Sequence, residues 1–159
     1  NCRLEGFNQF SPKRIILDRN LQIDLKSYIA KSIKNKNTII FHNSNDKSKI
    51  KLLKKRGTIL IKQSTDKYKN LDLKKILKDL YKMEIRNLLV EGGDILTKNF
   101  IQKKLFNEFY VFRSSKNLSK NKKHVNFTSF SILNTKYNKH KINSKLATDK
   151  LTIYKNWNV

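Results

Sequence analysis

A carboxylate followed by two glycines and the start of a helix is the feature of this sequence best suited to chemistry. The segment reads Glu91-Gly92-Gly93-Asp94 and follows a short apolar run. We expect Glu91 to end a strand and a helix to begin directly after the glycines. In open α/β sheets, phosphorylated ligands bind at this carboxyl edge, where the amides of a helix N-terminus point toward an anion. Glycine permits a positive φ and a close approach of a ligand to the backbone.

Each residue of this segment also has a reading without a ligand. Glu91 could be a solvated carboxylate at a strand end, because acidic residues favour helix N-termini. Gly92 and Gly93 could form only a tight turn between strand and helix. Asp94 is unfavourable beside a diphosphate, so we expect its side chain to cap the helix and point away from a ligand.

The elements that must position this segment alternate between strands and helices. Apolar runs predict strands over 14–17, 38–42, 58–61, 88–91, 108–112 and 151–154. Helical spacing of apolar residues predicts helices over 72–83 and 95–105, and a basic helix capped within 43–46 ends near Gly57. This order predicts an α/β fold with a mainly parallel central sheet, flanking helices and an antiparallel pair of C-terminal strands. No linker interrupts the pattern, so we expect one domain over 1–159.

Composition narrows the classes of function. The 159 residues hold 36 Lys and Arg against 12 Asp and Glu, a formal net charge of +24. The lysines are scattered over every segment and accompany many Asn and Ile residues, as a bias toward A/T-rich codons would produce. Nucleic-acid binding is therefore not required by the charge. A single cysteine, Cys2, excludes an internal disulfide framework and predicts a cytoplasmic protein, and no apolar run approaches a membrane span.

Three motifs in order resemble a known family. Residues 12–19 read PKRIILDR, residues 89–93 read LVEGG, and residues 107–111 read NEFYV. They are similar to the reductase domain of the bacterial riboflavin-biosynthesis protein RibD, which has a dihydrofolate-reductase-like fold. That resemblance implies NADPH-dependent reduction of 5-amino-6-(5-phosphoribosylamino)uracil, a phosphorylated pyrimidine, to its ribitylamino form.

The same resemblance implies that part of the fold lies upstream. The opening residues Asn1-Cys2-Arg3 look like the end of a "DDPxLxxR" segment of the family. We therefore expect the domain to lack its first strand and helix here. Relatives with two activities carry a zinc-dependent deaminase domain further upstream, whose H-x-E and P-C-x-x-C signature is absent from this sequence. A homodimer is a further partner consistent with the resemblance.

The resemblance also assigns roles to individual residues. Arg3 would bind the substrate phosphate in a bidentate manner, and Glu91 would bind the polar part of the substrate. Arg19 would pair with the 2′-phosphate that separates NADPH from NADH. The cofactor diphosphate would lie on the turn and the following amides, formed by Gly92, Gly93, Asp94, Ile95 and Leu96. Without the resemblance, both arginines are ordinary surface residues.

The sequence does not identify a proton donor or a metal site. Asp18 is placed as a turn former. The three histidines, His42, His124 and His140, follow no metal-ligand spacing. Two other functions remain open at this point. One is a dihydrofolate-reductase-like enzyme acting on a different pterin or pyrimidine, and the other is a basic nucleic-acid-binding module.

Overall fold

A computed structural model describes residues 11–34, 36–115, 127–142 and 148–156. It divides the chain into two compact units, Asn1–Arg86 and Asn87–Val159. The strands are β1 (Arg14–Leu17), β2 (Thr38–His42), β3 (Ile59–Lys62), β4 (Glu108–Arg113), β5 (Asn138–Ile142) and β6 (Lys150–Lys155). The helices are α1 (Tyr28–Lys31), α2 (Lys47–Lys55), α3 (Leu73–Lys82), α4 (Asp94–Gln102) and α5 (Phe130–Lys136).

The first unit is built on a parallel three-stranded sheet in the order β1-β2-β3. All five residues of the central strand β2 are buried, as expected of a parallel strand covered on both faces. Its register places Ile40 between Ile16 of β1 and Leu60 of β3. On one face these residues pack with a cluster formed by Leu21, Ile33, Ile40 and Leu53. The parallel sheet is therefore packed on one face against an apolar core.

Helix caps explain why two predicted helices form where they do. The carboxylate of Asp46 accepts a hydrogen bond from the Lys49 amide at the start of α2. Asp72 does the same for the amides of Lys74 and Lys75 at the start of α3. Gly57 follows α2 with φ 87°, the left-handed conformation that terminates helices. Both helices match their predictions.

The second unit is an antiparallel sheet in the order β4-β6-β5 with helices α4 and α5. Its core contains Ile101, Leu133 and Tyr154, surrounded by half-buried aromatic residues of β4 and α5. The Tyr137 hydroxyl donates to the Ile101 carbonyl oxygen over 2.9 Å, which joins the turn between α5 and β5 to α4. The antiparallel C-terminal part of the predicted fold is thus present, with three strands instead of two.

The prediction of a strand over 88–91 is wrong. Residues 85–93 form no regular element, and Leu89 is 78% exposed. A strand needs hydrogen bonds from a neighbouring strand, and no strand within the described ranges pairs with this segment. Helices α1 and α5 also form in regions where the sequence indicated no helix.

The predicted fold class is confirmed at the level of architecture, an α/β fold with a parallel sheet, flanking helices and antiparallel C-terminal strands. In the parts of the chain that the structure describes, no helix is both long and apolar enough to cross a membrane.

Candidate active site

The N-terminus of α4 presents backbone amides that no side chain caps. Gly93 is the N-cap residue and makes no side-chain hydrogen bond. The first intrahelical bond runs from the Thr97 amide to the Gly93 carbonyl oxygen. The N–H groups of Asp94, Ile95 and Leu96 precede that donor, so they lack an acceptor within the helix. Such a terminus is suited to an anion.

The two glycines before α4 differ in whether the surrounding structure leaves space for a side chain. Neither adopts a positive φ, because Gly57 is the only glycine of the described residues that does. The freedom of glycine to adopt a positive φ is therefore not used at either position. A Cβ at Gly92 would lie 2.8 Å from Leu96 Cδ2, whereas a Cβ at Gly93 would have no neighbour within 4 Å. Gly93 has φ −73° and ψ 175°, an extended conformation open to any residue.

Asp94, the first residue of α4, directs its carboxylate away from the helix amides. One carboxylate oxygen accepts a hydrogen bond from the Thr128 amide at 3.2 Å. The other oxygen accepts from the Thr128 hydroxyl at 3.0 Å. The prediction that the Asp94 side chain caps α4 is wrong, because both carboxylate oxygens bond to Thr128 and α4 has no side-chain cap. The Asp94 carboxylate instead bonds to Thr128, which lies 34 positions later in the chain.

Glu91 lies in the exposed segment before the glycines. Its side chain is exposed, and among the described residues it makes no hydrogen bond or ion pair. The apolar residues before it are also exposed, with Val90 at 39%. Glu91 is therefore an accessible carboxylate next to the uncapped helix N-terminus.

The carboxyl end of the parallel sheet in the first unit holds Asp18 and Arg19. The Asp18 carboxylate accepts hydrogen bonds from the amides of Gln22 (2.8 Å) and Ile23 (2.7 Å), which confirms its role in a turn. The Arg19 guanidinium donates to the Lys69 carbonyl oxygen, and the Arg19 carbonyl oxygen accepts from the Asn43 amide. Arg19 is exposed and is held at the ends of β1 and β2.

His42 ends β2 at the same edge and is 3% exposed. Its Nδ1 atom is buried without a hydrogen-bond partner among the described residues. Burial lowers the pKa of His42 below its ordinary value of 6.5, and the charges of Lys62 and Lys54 act in the same direction. The nearby Ser44 backbone and the charge of Asp18 oppose this lowering of the pKa. The imidazole is thus neutral at pH 7.

Two residues with notable surroundings, one in each unit, were not singled out by the sequence. Thr128 bonds to Asp94 through the tertiary fold, and no local pattern in the sequence signals that contact. The burial of His42 follows from its place on the central strand, which its apolar neighbours do indicate.

Arg3 lies outside the described residues. Arg19 belongs to the first unit, whereas Glu91, Gly92, Gly93, Asp94, Ile95 and Leu96 belong to the second. Among the described residues, no three His, Cys, Asp or Glu side chains are grouped to hold a metal ion.

Comparison with known proteins settles the family. The RibD C-terminal domain matches residues 1–145. The chain belongs to this family. The riboflavin biosynthesis protein RibD of Aquifex aeolicus is 29% identical over 106 residues, covering 66% of this chain and 28% of that protein.

Solved structures of RibD from Acinetobacter baumannii share the fold. Form 1 superposes with a TM-score of 0.65 at 18% identity, covering 91% of this chain and 37% of the other. Form 2 gives a TM-score of 0.67 at 18% identity and covers 96% and 41%. The chain therefore spans well under half the length of the RibD proteins that it matches. At this identity the structures show the fold, which agrees with the dihydrofolate-reductase-like prediction.

Proposed function

We propose that this protein is the reductase of riboflavin biosynthesis that converts 5-amino-6-(5-phosphoribosylamino)uracil to its ribitylamino form with NADPH. Membership of the RibD C-terminal domain family supports an oxidoreductase acting in this pathway. The identity of the cofactor and the substrate rests on the resemblance of the three motifs and on the geometry around α4.

One observation carries the cofactor part of the proposal. Gly93 is a glycine that the fold itself does not need, because its backbone is extended and a Cβ would have open space around it. A bound group that comes close to the backbone explains the absence of a side chain. The uncapped amides that follow Gly93 supply hydrogen-bond donors, so the residues present fit a diphosphate.

The remaining residues would bind and orient the reactants. When bound, the nicotinamide supplies a hydride to the ribosyl C1 of the substrate. Glu91, exposed and unpaired among the described residues, would accept hydrogen bonds from the substrate. Arg3 would bind the substrate phosphate, and Arg19 would bind the 2′-phosphate of NADPH. Leu96 and Ile95 would contribute backbone amides beside that of Asp94.

The wider context of the enzyme is part of the same proposal. We propose a phosphorylated pyrimidine as the substrate, a cytoplasmic location, and a homodimer as the assembly. An upstream zinc-dependent deaminase domain would supply this substrate from its aminated precursor. The length of the matched RibD proteins leaves room for such a domain in them.

The direct test is turnover. The protein should consume NADPH in the presence of the phosphoribosylamino-pyrimidine and form a product two hydrogens heavier by mass spectrometry. Glu91→Gln should lower kcat at least about tenfold, or about 1.4 kcal/mol in the barrier, while the melting temperature stays unchanged. Glu84→Gln, which removes an exposed carboxylate of the first unit, is the matched control. Turnover of a pterin in place of the pyrimidine would overturn the proposed substrate.

Arg19 tests the choice between NADPH and NADH. Because the 2′-phosphate is present only in NADPH, Arg19→Ala should weaken NADPH binding about tenfold and leave NADH binding nearly unchanged. Arg86→Ala removes another exposed arginine of the first unit and should change neither affinity. Equal losses for both cofactors with Arg19→Ala would refute the assigned role.

A further inference from the structure

Asp94 presents a physical problem for the proposed cofactor site. It is the first residue of α4, directly after Gly93, and carries a negative charge where a diphosphate would bind. Like charges brought together at a binding site cost affinity. An acidic residue at this position is compatible with a diphosphate only if its carboxylate is directed elsewhere and kept there.

The Asp94–Thr128 contact provides that restraint. Both oxygens of the carboxylate are engaged by the same residue, one by its backbone amide and the other by its hydroxyl. Hydrogen bonds to a carboxylate are stronger than those between neutral groups, so two of them define the side-chain direction well. The Asp94 carboxylate consequently makes no cap bond to the α4 amides.

Thr128 is itself held in place from both sides. Phe127 stacks on Phe109 of β4 with ring centroids 6.1 Å apart, and it packs edge-on against Phe130 at 4.8 Å. Ser129, the N-cap residue of α5, is 1% exposed. A residue between two packed neighbours cannot move far without disturbing the aromatic core. Thr128 is itself exposed, but it lies between two residues that are packed in the second unit.

We propose that Thr128 is a positioning residue for the cofactor, which holds the Asp94 carboxylate away from the α4 amides so that they accept a diphosphate. This inference rests on the proposed function, because it presumes that NADPH binds at α4. The Asp94–Thr128 contact would explain how an acidic residue can stand beside a bound anion. Thr128 acts through Asp94 and does not touch the cofactor.

The experiment is a double-mutant cycle read by the fluorescence of NADPH on titration with the protein. Thr128→Val removes the hydroxyl donor and leaves the backbone amide as the only restraint on the carboxylate. The carboxylate can then turn toward the α4 amides more often, which should raise the Kd for NADPH about tenfold. Combining it with Asp94→Asn removes the repelling charge and should restore the Kd to within about twofold of the wild-type value. The deficit of Thr128→Val should also shrink as salt rises, because salt screens the repulsion.

Controls separate positioning from folding. Thr128→Ser keeps the hydroxyl donor and should bind NADPH like the wild type. Thr135→Val removes a hydroxyl of α5 that bonds only within its own helix, to the Ser131 and Ile132 carbonyl oxygens, and should leave the Kd unchanged. Melting temperatures are recorded for every variant.

The outcomes distinguish this inference from the proposed function. If the wild type binds NADPH and Thr128→Val binds it equally well, the role of Thr128 is overturned and the proposed function stands. If the double variant stays as weak as Thr128→Val, the effect is structural and the inference is also overturned. If the wild type does not bind NADPH, the proposed function falls and this inference falls with it.

Discussion

Two regions of this molecule were expected to present ligand-binding residues at the end of a strand, and they are built in different ways. At the carboxyl end of the first unit's sheet, Asp18 and Arg19 are bound into the surrounding loops by hydrogen bonds. In the second unit, the segment before the glycines has neither pairing nor burial, and Glu91 makes no contact among the described residues. The first region is therefore fixed by hydrogen bonds to the loops around it. The second region is fixed only by the helix that follows it in the chain.

The two regions, around Arg19 and around Gly93, are held in place by different parts of the structure. Arg19 follows a strand of a sheet that packs on an apolar core, and its guanidinium and carbonyl groups are hydrogen-bonded within the first unit. Gly93 is placed from its C-terminal side alone, by α4 and by the Asp94–Thr128 contact. Ligand-binding segments are often drawn from the less stable parts of a fold. We therefore expect mutations in the two regions to separate stability from binding.

The largest expected effect is on the free energy of unfolding. It compares the apolar run 38–42, which forms β2, with the apolar run 88–91, which forms no strand. Phe41 of β2 is fully buried, so Phe41→Ala should lower the free energy of unfolding by about 3–5 kcal/mol. Leu89→Ser changes an exposed side chain and should cost no more than about 0.5 kcal/mol. Urea denaturation measures both. A loss at Leu89 close to that at Phe41 would mean that segment 87–93 is packed in solution, contrary to the exposure described.

An intermediate effect is expected at the N-cap of α4. Gly93→Ser places a hydroxyl where it can cap the α4 amides, so stability should be equal or higher by a few tenths of a kcal/mol. The same hydroxyl occupies the donors that the diphosphate needs, and NADPH binding should weaken about tenfold, or about 1.4 kcal/mol. Calorimetry and fluorescence titration measure the two quantities. Unchanged affinity would remove Gly93 from the cofactor site.

Gly92→Ala is the matched comparison for that variant. Its Cβ would come within 2.8 Å of Leu96 Cδ2, so the Leu96 side chain must shift. We expect this change to alter stability while leaving the α4 amides open to the cofactor. Identical behaviour of the two glycine variants would contradict the distinction between a glycine that packing needs and one that it does not.

The smallest expected effect is the pH dependence of the first unit. Burial lowers the pKa of His42 below 6.5, so the unfolded chain binds its proton more readily than the folded chain. The stability contributed by neutral His42 is complete above about pH 6.5 and is lost as the pH falls below that value. Denaturation at about pH 7 and about pH 5.5 should show this loss in the wild type. His42→Gln should show a smaller dependence over the same interval, and an equal dependence would assign the effect to other groups.

The sequence predicted the elements whose signals are local. The run 38–42 has a core of apolar residues, two of them β-branched isoleucines, and it forms the buried central strand. Asp46 and Asp72 cap the two helices that their spacing indicates. The run 88–91 carries the same kind of signal and forms no strand, because pairing depends on a neighbour that local sequence cannot specify.

At the candidate site, too, some features follow from the local sequence and others depend on the tertiary fold. The uncapped amides after Gly93 follow from the order of a carboxylate, two glycines and an amphipathic helix. The conformation of Gly93 does not, because glycine permits a positive φ whereas the backbone here is extended. The Asp94–Thr128 contact joins residues 34 positions apart, so only the tertiary fold of the second unit brings them together.

The central claim is that NADPH binds through the N-terminal amides of α4. Amide chemical shifts of the isotope-labelled protein, followed by NMR during titration with NADPH, test this claim most directly. We expect large, saturable shifts for the amides of Asp94, Ile95 and Leu96 and small shifts for the amide of Lys51, an exposed residue of α2. Saturable binding that leaves the α4 amides unshifted would contradict it.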